Sequence, residues 1–240
     1  MKRILAAIEQ RTREFEAHPF HAFLKDESRS ARERLSFAPL MTHFVMTFAD
    51  LYAMVLREEP PSDELQAIVN AHTREDGGHW KWFLADLGKL GSDPRMPFSD
   101  SMRFVWGEGT ARMRMLSYRM CRLGMGADSL HKLVLVQCIE ATGASTLRNV
   151  APVGRAIGEE VGKPLVYFGP HHFETESDHT LEEDDVRKRI GAIEVDPGVA
   201  EELLALVDET FRLFTEGADE ILAFVKGGAR FGGGEPIAAE

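Results

Sequence analysis

The sequence predicts an all-α protein, a single-domain bundle of about seven helices. Three observations carry that expectation. Almost every segment places apolar residues at helical period, and no convincing strand pair is present. Prolines, glycines and capping residues punctuate the periodic stretches. Neither a repeat array nor an interdomain linker interrupts the pattern. Residues 1–226 therefore read as one helical domain, and 227–240 as a flexible glycine-rich tail.

Residues 2–17 align Ile4, Ala7, Ile8, Arg11 and Phe15 in one stripe, which predicts a first amphipathic helix. His18-Pro19 ends it, because a residue before proline avoids the helical region. HPFHAFLKD reads as a short connection. Ser28 or Ser30 caps a second helix over 31–58. Its apolar residues, among them Phe37, Leu40, Phe44, Phe48 and Leu51, cover so much of the circumference that a central position is expected. Pro60-Pro61 stop it, and Ser62 or Asp63 starts a third helix that runs to Leu90. Gly77-Gly78 lie inside that helix at a cost of roughly 1 kcal/mol each, so a close approach by another helix or a ligand is expected there. After the loop GSDPRMPFSD, Ser99 or Asp100 caps a fourth helix to Leu123. The fifth runs from Asp128 to Gly162, with Pro152 and Gly154 as points of interruption. The sixth covers 165–182, with a kink at Gly169-Pro170. Asp196-Pro197 opens the last, 197–226, with Leu203, Leu206, Val207, Phe211, Phe214, Ala218 and Ile221 on one face.

Composition narrows the function. Hydrophobic content of 44% and charged content of 28% are those of an ordinary globular chain. The net charge of -11 is concentrated in 174–185 and 201–220, the wrong sign for a phosphate-binding surface, so no nucleic acid partner is expected. Cys121 and Cys138 lie in apolar helical stretches and form no disulfide framework, which points to a reducing compartment. The N-terminal stretch turns charged too soon for a signal peptide. No apolar run is read as approaching the roughly 20 residues of a bilayer span. The expectation is a cytoplasmic protein without a membrane partner.

Two stretches carry the chemistry. In YFGPHHFETESDH, His172, Glu176 and His179 stand at i, i+4 and i+7, on one helical face. Two imidazoles and a carboxylate so placed form a chelating set for a divalent metal. The alternative is an acidic solvated face with incidental histidines, since Glu174, Asp178 and Glu182 are close by. In HTREDGGHW, His72, Glu75 and His79 stand at i, i+3 and i+7, with Asp76 at i+4 from His72. Alone, this reads as a surface helix. Two such helices in one chain shift the balance, because bundles build metal sites from facing helices. Between them Glu140 lies in LHKLVLVQCIEATGAS, where a buried carboxylate needs a partner. A metal would satisfy it, as would an arginine such as Arg112. His43, Tyr118 and Cys138 are candidates to line a substrate pocket, although a histidine in an apolar helix is more often hydrogen-bonded core, and Cys138 has no base at a telling spacing. The methionines Met102, Met113, Met115 and Met120 read as core or pocket lining.

With these residues in view, the chain resembles the heme-oxygenase-like fold, and within it the branch with a non-heme di-metal site, the heme-oxygenase-like di-iron oxidases. The likeness runs over nearly the whole chain, with ligands on the third, fifth and sixth helices. His172, Glu176 and His179 match that branch's histidine, acid and histidine after an aromatic pair. Glu140 matches its lone core glutamate, and His79 the histidine of the earlier ligand helix. One position departs: where the branch usually has a glutamate seven residues before that histidine, this chain has His72. Either Glu75 takes over from the next turn, or the site is richer in histidine, or it holds a single metal. The resemblance implies an oxidoreductase using dioxygen on a small organic substrate (amines, acids or amino-acid-like compounds), one iron or two, and a homodimer. Manganese or zinc would also suit such ligands. A non-catalytic small-molecule or metal-binding protein on the same fold is the alternative. The superfamily also contains thiaminase-like proteins, whose nucleophilic cysteine has no clear counterpart here. It contains true heme oxygenases as well, for whose proximal histidine His18 and His21 lack the context, so no heme is expected.

Overall fold

Short polar side chains set several helix starts. Asp63, Asp128 and Asp196 accept hydrogen bonds from the backbone N–H of Gln66, His131 and Gly198. Ser30 and Glu33 form a reciprocal capping box. The computed structural model describes residues 1–176 and 184–227, apart from the side chains of Glu176 and Asp184. No strand occurs among the described residues, as expected.

The helices are more numerous than seven, because several expected helices are divided. The segment expected as one helix over 31–58 consists of α3 (Ala31–Arg34), a 3-10 turn (Ala38–Met41), α4 (Thr42–Leu51) and a π turn (Tyr52–Leu56). The third expected helix is α5 (Glu64–Glu75), a 3-10 turn (Asp76–Gly78) and α6 (Trp80–Leu90). The fourth is α7 (Phe98–Trp106), a 3-10 turn (Glu108–Thr110) and α8 (Ala111–Gly124). HPFHAFLKD is itself helical: α2 (Pro19–Lys25) starts on proline, with the His18 ring accepting from the Phe20 N–H. Counting α5 and α6 as one interrupted helix, and leaving aside the single turn of α3, gives about ten helices among the described residues. α1 (Lys2–Glu16) and α12 (Pro197–Lys226) match the expected first and last helices closely. The expected sixth helix separates into α10 (Pro170–Glu176) and α11 (Asp184–Ala192); its expected stretch 177–182 lies outside the described residues, as do 228–240 of the expected tail.

The central element is α9 (Ser129–Val161), not the second expected helix. Leu133, Val134, Leu135 and Val136 are consecutive and fully buried, so the N-terminal half of α9 is enclosed on every side. It packs against α1, α2, α3, α5, α10 and α12. It also runs without interruption through Pro152. Gly154 serves a different purpose from a break: a Cβ there would lie 1.9 Å from the Phe168 carbonyl oxygen, so only glycine lets the chain before α10 cross α9 this closely. Gly169 is required in the same way, 1.9 Å from the Leu165 carbonyl.

The stretch Ala31–Leu56 is long and apolar enough to cross a membrane by length and composition, with mean hydropathy 1.3, contrary to the expectation that no run came close. Its apolar side chains have a packing role. Phe37, Leu40, Leu51, Tyr52 and Leu56 are fully buried, and α4 lies against α8 and α6. Gly77 and Gly78 also have a different role from the expected one. A Cβ at either would meet nothing within 4 Å; the two glycines form the tight turn that divides α5 from α6.

Candidate metal centre

The turn at Asp76–Gly78 determines which side chains meet. α5 delivers His72 at full burial, and Asp76 follows one turn later on the same face, at the point where the helix tightens. His79, next after the turn, starts α6. α9 brings Glu140 from the opposite side. Its Oε1 lies 3.0 Å from His72 Nε2, and Asp76 Oδ2 lies 3.4 Å from the same nitrogen. His72, Asp76 and Glu140 together place one ligand atom each within 4.8 Å of one another. His79 Nδ1 is 3.9 Å from Asp76 Oδ1 and 3.1 Å from His172 Nε2 on α10. Five potential ligands from α5, the turn, α6, α9 and α10 thus form one continuous chain.

These separations suit a shared cation. Two ligand atoms each about 2.1 Å from a metal stand roughly 3.0 Å apart at a right angle and roughly 3.4 Å apart at the tetrahedral angle. The pairs His72–Glu140, His72–Asp76 and His79–His172 lie at 3.0, 3.4 and 3.1 Å. The donor set of imidazole and carboxylate is that of iron, manganese or zinc.

Surrounding groups hold the ligands in place. The Tyr167 carbonyl, which can only accept, lies 2.9 Å from His172 Nδ1, so that nitrogen carries the proton and Nε2 presents its lone pair toward His79. Asp86, fully buried on α6, accepts from the backbone N–H of Val166 and Phe168, both at 3.1 Å, and from Lys89 Nζ at 2.9 Å. It thereby fixes the chain on either side of Tyr167. The His79 ring stacks on Trp82, with centroids 4.3 Å apart. Tyr52, in the π turn, donates its hydroxyl to Asp76 Oδ2 at 3.0 Å. For His72, burial disfavours the charged form, but the hydrogen bonds and charge of Asp76 and Glu140 outweigh it and push the imidazole up to about 11.

An apolar cavity of about 150 Å³ opens onto this cluster. Phe44 and Phe48 from α4 and Met113 and Leu116 from α8 line it, with Asp76, His79, Glu140 and His172 at its polar end. Met113 fits the pocket-lining expectation and Met120 is fully buried, whereas Met115 is 40% exposed.

The sequence-predicted ligands His72, His79, Glu140 and His172 are brought together. Glu75 lies at the edge, with Oε2 3.8 Å from His72 Nδ1 and its side chain 34% exposed. It is not part of the closest group, so its expected place falls to Asp76. Glu75 and Asp76, at i+3 and i+4 from His72, both lie within reach of its face on a helix, and the position of Glu140 on α9 makes Asp76 the closer partner. Glu176 is in α10, one turn beyond His172; its side chain and all of His179 lie outside the described residues. The expected pocket residues His43, Tyr118 and Cys138 are placed elsewhere and do not line the cavity. His43 Nε2 is 3.3 Å from the Tyr118 hydroxyl, and its ring meets Trp106 edge-on, the arrangement of a hydrogen-bonded core histidine. Cys138 is fully buried, and burial pushes its thiol far up, away from the reactive thiolate.

Comparison with protein-family models finds no match, and comparison with curated proteins finds no relative.

Proposed function

We propose that the chain is a metal-dependent oxidoreductase of the heme-oxygenase-like kind, acting with dioxygen on a small organic substrate. One observation supports it above the rest: side chains from five segments meet in a chain of imidazoles and carboxylates at ligand-pair distances, beside an apolar cavity. His72, Asp76, His79, Glu140 and His172 would hold the metal, with iron first in order of expectation. When bound, the metal would supply the redox chemistry that activates dioxygen. The protein's own part is positional. Tyr167 and Asp86 set the His172 ring, Trp82 holds His79, and Tyr52 orients Asp76. The phenylalanine-rich walls would keep water from the substrate and place it against the polar end.

The test is elemental analysis of untagged protein before and after anaerobic Fe(II) loading. One to two irons per chain, lost in His72→Ala and His172→Ala, would support the reading, and unchanged metal content in both variants would overturn it. The cavity also favours a second reading, a small-molecule-binding protein without turnover. Iron-loaded protein that binds ligand but consumes no oxygen would select that alternative.

A further inference from the structure

The cavity beside the metal cluster has a chemistry that selects its ligand. We infer that, with no metal bound, it accepts an uncharged, largely apolar molecule about the size of one aromatic ring, and discriminates against organic anions. The inference deepens the proposed function and rests on it only for the role of the polar end.

Seven phenylalanines, Phe15, Phe20, Phe37, Phe44, Phe48, Phe168 and Phe214, converge on the cavity from six segments. Among the described residues lining it there is no lysine or arginine. In the metal-free protein, a carboxylate entering such a space would lose its hydration without a lysine or arginine in the lining to pair with. The threonine hydroxyls of the wall are already engaged. Thr142 donates to the Cys138 and Ile139 carbonyls, and Thr146 donates to the Thr142 carbonyl. Asp76, Glu140, His79 and His172 line the cavity beside the Tyr167 and Trp80 side chains, and the two carboxylates repel an anion. Size sets the other limit: an apolar cavity of roughly 150 Å³ holds a benzene-sized molecule, and this one measures about 150 Å³.

One wall can be altered without a clash. Gly143 lines the cavity from α9, and a Cβ built there meets nothing within 4 Å. Gly143→Leu should fill the space and also favour the helix, because glycine is the weaker helix former.

The experiment is calorimetric titration of chelator-treated full-length protein with ethylbenzene, phenylacetate and benzylamine. Ethylbenzene is expected to bind at sub-millimolar concentration and phenylacetate at least ten-fold more weakly. Gly143→Leu should weaken ethylbenzene at least ten-fold while Tm holds or rises. Should that variant fail to fold, Ala49→Leu, on the α4 wall, provides the same test. Phenylacetate binding as tightly as ethylbenzene would overturn the inference. So would benzylamine binding ten-fold tighter than ethylbenzene, which would assign selection to the carboxylates rather than the walls. Absence of ethylbenzene binding, or its persistence in the filled variant, would overturn it too. Metal content plays no part in this readout, so failure of the metal assignment and failure of the ligand assignment remain separate results.

Discussion

Asp76 and Asp86 are both buried carboxylates of the α5–α6 region, and their surroundings differ in kind. Asp86 is encircled by donors: two backbone N–H groups and one ammonium. It needs no further partner and works as a clamp between α6 and the chain that leads into α10. Asp76 faces one hydroxyl, two imidazoles and, across His72, a second carboxylate. Acids gathered so closely around an imidazole favour a positive charge among them, supplied by a proton on His72 or by a cation. The contrast separates a buried acid whose donors are in place from one that could hold a metal: count the donors and acceptors around it, not its burial.

The histidines repeat the contrast. His21 is buried among Phe15 and Phe20, and its Nδ1 lies 3.0 Å from the Asn149 amide nitrogen. Burial, with smaller contributions from the charges of Lys25 and His18, pulls it down to about 4. His72, equally buried but flanked by acids, goes the other way.

The largest effect should come from breaking the clamp. Asp86→Ala leaves the Val166 and Phe168 N–H groups without their acceptor and Lys89 with the Pro164 carbonyl alone. It should cost about 3–5 kcal/mol in denaturant unfolding and lower Tm by roughly 10 °C. An effect within 1 kcal/mol on the order-of-magnitude scale of surface changes would sink the structural assignment of Asp86.

Asp76→Asn should behave in the opposite sense. Loss of an outer partner of a metal ligand typically costs about 10–100-fold in affinity, so loss of a ligand should cost at least about 100-fold. Chelator-treated Asp76→Asn should stay within about 2 kcal/mol of the parent in unfolding experiments. If it were as destabilised as Asp86→Ala and bound iron normally, the distinction between the two acids would collapse.

The third prediction concerns pH. The folded-state value of His21 lies below the ordinary 6.5 of the unfolded chain, so the unfolded state takes up the proton first as pH falls. The stability contributed by keeping His21 neutral is present above pH 6.5 and is lost progressively toward pH 4, by about 2–3 kcal/mol. His21→Gln cannot titrate, and its unfolding free energy should show that much less decline over the same range. Identical slopes in the two proteins would remove His21 from the account.

The smallest effect is expected from Tyr52→Phe. Losing one hydrogen bond to Asp76 should cost about 1 kcal/mol and weaken metal binding about ten-fold, the low end for an outer partner. Unchanged affinity would show that Asp76 is oriented without help from the π turn.

The sequence by itself determined the helical class, through apolar period and capping residues at Asp63, Asp128 and Asp196, because both depend on neighbours within a turn or two. It also carried His72, His79, Glu140 and His172 as candidates, since ligand spacing on a helix is local geometry. Tertiary structure decided what depends on distant segments. Glu75 and Asp76 both stand about one turn from His72, and only the place of Glu140 on α9 decides that Asp76 joins the closest group. Gly154 is glycine because Phe168 crosses it, although the chain pattern alone suggested a break. His43, Tyr118 and Cys138 were drawn toward a pocket by residue type, but the packing of α4, α8 and α9 gives the cavity to phenylalanines. Period and caps are written in adjacent residues, whereas the lining of a cavity is set by which helices meet and at what rotation.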